Sequence, residues 1–144
     1  MARSLVCAAS LLAAIALAGT ARASPQQDYV LYCMGCHGPG AEGVPGKIPP
    51  LAGALARFMR TPEGRNYVLR VPGAANSVLT DAQLAALLNW LAERYRVAEE
   101  PAPQPFTAEE VTSVRRTPLP NVQATRREVV HSLAASGAAP SAEY

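Results

Sequence analysis

Residues 33–37 read CMGCH. Two thiols sit three positions apart, and an imidazole follows the second one directly. The chain has only one other cysteine, Cys7, and one other histidine, His131. A fold built on this sequence must therefore explain why its scarcest reactive side chains share five residues.

Cys7 belongs to a different part of the chain. Arg3 supplies a positive start, LVCAASLLAAIALA an apolar run, and Ala21 and Ala23 the small pair of an A-x-A cleavage site. This is the pattern of a secretory signal peptide over residues 1–23. The run is shorter than the ~20 apolar residues a membrane span needs. The expectation is export to the periplasm, with no membrane span after signal removal. Loss of Arg3 and Arg22 leaves eleven basic side chains against eleven acidic ones, all but Lys47 of the basic ones arginine. That balance gives no reason to expect nucleic acid or an anionic membrane as a partner.

Three chemistries can use a C-x-x-C pair in an exported chain. A disulfide is the plainest, but a two-residue gap is typical of redox-active pairs, which sit in a βαβ setting. The stretch after the motif is GPGAEGVPGKIPPLAG, rich in Gly and Pro and without strand-like alternation. A zinc site needs four ligands, and no second pair stands at ligand spacing. The third chemistry uses all three residues. In C-x-x-C-H each thiol adds to a vinyl group of a c-type haem, and the histidine offers its ring to the iron. One motif implies one covalent haem c per chain, held by Cys33, Cys36 and His37. Aromatics are only 6% of the chain, so such a cofactor would also supply bulk to a thin core.

The flanks read as helices. Ser24-Pro-Gln-Gln27 is a capping box with Pro at the first helical position, opening a helix that runs into Cys33. Met59 falls on a short helix in LARFMR. Thr61-Pro62-Glu63 starts another, with Asn66 to Arg70 as its body and Pro72-Gly73 as its end. Thr80-Asp-Ala-Gln83 is a second capping box. Leu84, Leu87, Leu88, Leu91 and Tyr95 then recur at helical spacing.

With CMGCH, IPPLAG (Ile48 to Gly53) and LTDAQLAALLNWLAERY (Leu79 to Tyr95) in this order, residues 25–97 resemble the small class I monohaem cytochromes c. The resemblance implies an all-α fold around one covalently bound haem, with the last core helix crossing the first. It implies that Pro49 offers its carbonyl to the free imidazole nitrogen of His37. Such an acceptor fixes the ring and raises its basicity as a ligand. It also implies electron transfer rather than enzymatic catalysis, between a periplasmic dehydrogenase or other donor and an oxidase, cytochrome or other respiratory acceptor. A single haem motif and the lack of a spaced acid–base cluster argue against a dihaem peroxidase.

The family's usual sixth ligand is a methionine in the loop before the closing helix. Here that loop reads GAANSVLTD, with Asn76-Ser77 in the slot. Met34 is inside the motif and cannot turn back to the opposite face. Met59 is the remaining thioether candidate, Asn76 a weak one, and His131 lies in the distant tail. A thioether raises the potential and blocks small molecules. An open or displaceable position would instead make a haem protein that binds small gases, and that alternative stands.

Beyond residues 24–97, AEEPAPQP over residues 98–105 reads as a semi-rigid linker. Residues 106–135 read as a helical extension. Thr107-Ala-Glu-Glu110 is a third capping box, Pro118 and Pro120 break the chain, and Val122, Val129, Val130 and Leu133 follow helical spacing. Its apolar stripes are too thin for a core of their own. They must pack back on the cytochrome-like part or meet a redox partner. The arginine pairs 115–116 and 126–127 read as a solvated face. Residues 136–144 read as a disordered tail.

Overall fold

The computed structural model describes residues 23–135, 137 and 140. The leader reading therefore lies outside the described residues, as does most of the terminal tail. Among the described residues every regular element is a helix, apart from one isolated antiparallel bridge between Val44 and Ile48. No helix among them is long and apolar enough to cross a membrane.

The first helix, α1 (Pro25–Tyr32), is started by a complete capping box. Gln27 N donates to Ser24 Oγ at 3.3 Å, and Ser24 N donates to the Gln27 side chain at 2.8 Å. Two orphan backbone donors are thereby satisfied at the helix start. One further turn, α2 (Met34–His37), follows and stops at Gly38, whose φ is 77°. That positive φ, with ψ 164°, is extended backbone on the side of the map that glycine adopts at least cost, so the helix cannot continue.

The helices α3 (Leu55–Phe58), α4 (Pro62–Arg70) and α5 (Pro72–Ala75) are short and start at prolines or loop residues. The long element is α6 (Asp81–Tyr95), capped by the Thr80–Gln83 box. Its 15 residues span about 22 Å at 1.5 Å per residue. Leu84, Leu87, Leu88 and Leu91 form its buried stripe. Helix α1 packs across α6, and the Tyr29 and Trp90 rings meet there with centroids 6.1 Å apart. The first and last core helices that the resemblance paired are thus in contact.

The extension packs back. Helix α7 (Ala108–Val114) lies against α6 and α4, and α8 (Val122–Ala135) against α4 and α3. Phe106, Val111 and Leu133 are buried in the same cluster as Leu69, Leu87 and Leu91. Asn89 on α6 holds the entry to α7 by both ends of its amide. Its Nδ2 donates to Phe106 O at 2.9 Å, and Phe106 N donates to its Oδ1 at 2.8 Å.

Each arginine pair is split rather than wholly solvated: Arg116 and Arg127 are exposed, while their partners are buried. Arg115 is 3% exposed and Arg126 4%. Arg115 spends its donors on the segment before α6: Ala75 O at 3.1 Å, Ser77 O at 2.5 Å, Leu79 O at 2.8 Å, Ser77 Oγ at 2.9 Å and Asp81 Oδ1 at 2.9 Å. A guanidinium has five N–H donors in a fixed fork, so burial is tolerable where acceptors surround it. The Arg126 guanidinium lies 5.8 Å from the Phe58 ring centre. The third capping box is only half made. Thr107 accepts from Glu110 N, but the Glu110 carboxylate turns to Arg65, with contacts of 2.7 and 2.5 Å.

If α8 belongs to this core, Leu133→Ala should destabilise the protein by about 2–5 kcal/mol. The neighbouring exposed Ser132→Ala should change stability by less than about 0.5 kcal/mol. Urea unfolding of the two variants measures the difference.

Candidate haem site

The motif sits on the turn that joins α1 to the loop. Cys36 N donates to Cys33 O at 3.1 Å and His37 N to the same oxygen at 3.0 Å. Helical spacing of three and four residues puts all three side chains on one face. Both thiols are free; Cys33 is half-buried and Cys36 exposed. Burial, then the nearby charges of Asp28 and Cys36, push the Cys33 thiol up from its ordinary value. An attacking C-x-x-C thiol needs the opposite shift, toward thiolate. Cys33 is therefore poorly set to be the attacking thiol of a disulfide exchange.

His37 Nδ1 lies 3.1 Å from Pro49 O. A carbonyl oxygen only accepts, so Nδ1 carries the proton and Nε2 keeps its lone pair. Burial lowers the imidazole's pKa from 6.5, and the bond to Pro49 partly opposes that. The ring is thus neutral at pH 7 and free to ligate through Nε2, as metal-bound histidine requires.

The loop that brings Pro49 to His37 is closed by its own backbone. Gly43 N donates to His37 O at 2.8 Å, and Val44 and Ile48 exchange bonds of 2.9 and 2.8 Å. Leu51 N and Ala52 N both donate to Ala41 O at 2.9 Å. Gly43 has φ 71°, and a Cβ there would stand 2.3 Å from Ile48 O and 2.9 Å from Pro49 O. No larger residue fits without moving the Pro49 carbonyl. The loop is then tied to both crossing helices. Gly53 N donates to Tyr95 O at 2.9 Å, the Tyr29 hydroxyl to Gly38 O, and the Tyr95 hydroxyl weakly to Pro39 O at 3.4 Å.

The other candidates fall elsewhere. Met59 caps α3 and is 1% exposed. Its backbone is fixed by Leu55 O at 3.0 Å and by Arg65 Nη1, which donates to Met59 O at 3.1 Å. Asn76 is exposed at the end of α5. It borders a half-open groove of about 360 Å³ shared with Arg70, Arg115 and Pro118. His131 is exposed on α8. The two tyrosine hydroxyls were not expected as part of the site. Tyr29 stands one turn before Cys33, and that spacing is the only sequence signal for it.

Two free thiols on one helical face and a neutral histidine with an open Nε2 fit a covalently bound haem. No protein-family model matches the chain. A cytochrome c-552 of Thermus thermophilus is 32% identical over 130 residues, 76% of this chain and 88% of the relative. A second Thermus thermophilus cytochrome c-552 is 34% identical over 106 residues, 60% of this chain and 81% of the relative. The chain belongs to the class I monohaem cytochrome c family. It is an electron carrier with covalently bound haem c.

Because the folded state keeps His37 neutral, it contributes stability that is complete above about pH 6.5. That contribution declines as pH falls below this value, where the unfolded imidazole takes up a proton first. A haem-free Cys33→Ser/Cys36→Ser protein that keeps this fold should therefore unfold at lower urea at pH 5 than at pH 7. Adding His37→Gln should shrink that difference.

Proposed function

We propose that Cys33 and Cys36 take the two thioether bonds, that His37 Nε2 is the fifth iron ligand, and that Pro49 O orients it. The 3.1 Å contact between His37 Nδ1 and Pro49 O carries this reading. The haem, when bound, supplies the one-electron ferric–ferrous couple. The chain's own residues would hold it and set the basicity of His37.

For the sixth position we propose the Met59 thioether. It is a fully buried side chain, and a thioether ligand suits an electron carrier by raising the potential. Asn76 is the weaker candidate, because it is exposed and its loop is fixed by Arg115. That same loop supports one second reading. Arg115 holds residues 75–81 in place without any sulfur ligand among them. If Met59 does not ligate, the sixth position is open to small gases.

In this reading residues 1–23 direct export and are removed, and the carrier works in the periplasm. Residues 24–97 hold the haem, 98–105 connect, and 106–135 brace the haem-holding part. The donor is a periplasmic dehydrogenase or a similar protein, and the acceptor an oxidase or another cytochrome. Such partners would meet the protein in brief contacts.

Ferrous protein with Met59 on the iron should be low-spin and slow to take up carbon monoxide. Met59→Leu should convert it to a form that binds the gas readily, seen as an absorption shift. A wild-type protein that shifts at once on adding carbon monoxide would favour the gas-binding reading instead.

A further inference from the structure

The residue after the proposed iron ligand is the most flexible type available. Gly38 has φ 77°, and glycine crosses freely between backbone regions. Left alone, it would let the loop carrying Pro49 swing relative to His37. The structure removes that freedom by pinning two successive peptide groups. The His37–Gly38 peptide is held on both sides, by Gly43 N donating to His37 O at 2.8 Å and Gly38 N donating to Met34 O at 2.9 Å. The next carbonyl, Gly38 O, accepts from Ala41 N at 3.2 Å within the loop and from the Tyr29 hydroxyl, which is the tie that comes from α1.

Tyr29 is suited to be a fixed point. It is 2% exposed and lies on α1 one turn before Cys33, so its phenol shares a face with that thiol. Its ring is wedged against Trp90 of α6, with centroids 6.1 Å apart. Burial, with the charges of Tyr95, Cys33 and Glu42, pushes its pKa up to about 12, so the hydroxyl stays a donor. Phenylalanine would fill the same space against Trp90. The hydroxyl has a separate role.

We propose that Tyr29 is a positioning residue for His37: its hydroxyl, by helping to hold Gly38 O, fixes the loop that keeps Pro49 O on His37 Nδ1. The inference rests on the reading of His37 as an iron ligand. A firm Nδ1–H···O bond raises the donor strength of the ring and favours ferric iron. Loosening it therefore moves the reduction potential to more positive values.

The test uses the haem-loaded full protein with Tyr29→Phe, and Trp90→Phe as a packing control. The first readout is the reduction potential. The second is the exchange rate of the His37 Nδ1 proton in the ferrous protein, by NMR. Tyr29→Phe should shift the potential positive and speed exchange about tenfold, the effect of losing one hydrogen bond of about 1.4 kcal/mol. Trp90→Phe should lower the melting temperature without moving either readout. Unchanged potential and exchange in Tyr29→Phe, or equal shifts in Trp90→Phe, would overturn the proposal. His37 resonances with no paramagnetic shift in the ferric wild type would instead sink the ligand assignment beneath it.

Discussion

The contact between His37 Nδ1 and Pro49 O organises the half of the molecule around the motif. It fixes the tautomer, leaves Nε2 free, and does so from a residue twelve positions away. A twelve-residue loop keeps that alignment only if its ends are held. Gly43, Ala41 and the Val44–Ile48 bridge close it from within. Tyr29 and Tyr95 tie it to the crossing helices α1 and α6. The helix crossing is thus more than a hydrophobic contact. It carries the aromatic rings whose polar ends reach the loop.

A second set of constraints comes from the extension, and arginine dominates it. Arg65 joins Met59 O, Gln104 O and the Glu110 carboxylate, and stacks 4.2 Å from the Phe106 ring centre. Arg115 ties α7 to residues 75–81, and Arg70 reaches Thr117 O and Pro118 O. Glu100 is shared by Arg57 and Arg60 at 2.6 and 2.8 Å. Partly exposed pairs of this kind add little individually. The backbone carbonyls they satisfy in loops 75–81 and 101–105 would otherwise lack intrahelical partners. Ordering of those loops, more than net ion-pair energy, is what the arginines contribute.

Much of this was legible in the sequence because the signals were local. The haem chemistry is written in five consecutive residues. Ser24–Gln27 and Thr80–Gln83 close as capping boxes because both partners lie within one turn. The stripe Leu84, Leu87, Leu88 and Leu91 is buried as its spacing implied. The failures share a different cause. Glu110 left its box for Arg65, 45 residues away. Arg115 looks like surface charge until its acceptors arrive from a distant segment, and Arg126 until it meets the Phe58 ring. Neither the hydroxyl of Tyr29 nor the amide of Asn89 shows its backbone partner in the sequence, because tertiary structure brings the two together.

The function of this protein depends on CMGCH binding one haem through both thiols. That is checked most directly by the haem content and alkaline pyridine spectrum of protein expressed in cells that mature c-type cytochromes, taken after denaturing electrophoresis. The expected result is one haem per chain, retained through denaturation, with the spectrum of two thioether bonds. Haem-free protein with Cys33 joined to Cys36 as a disulfide would contradict it.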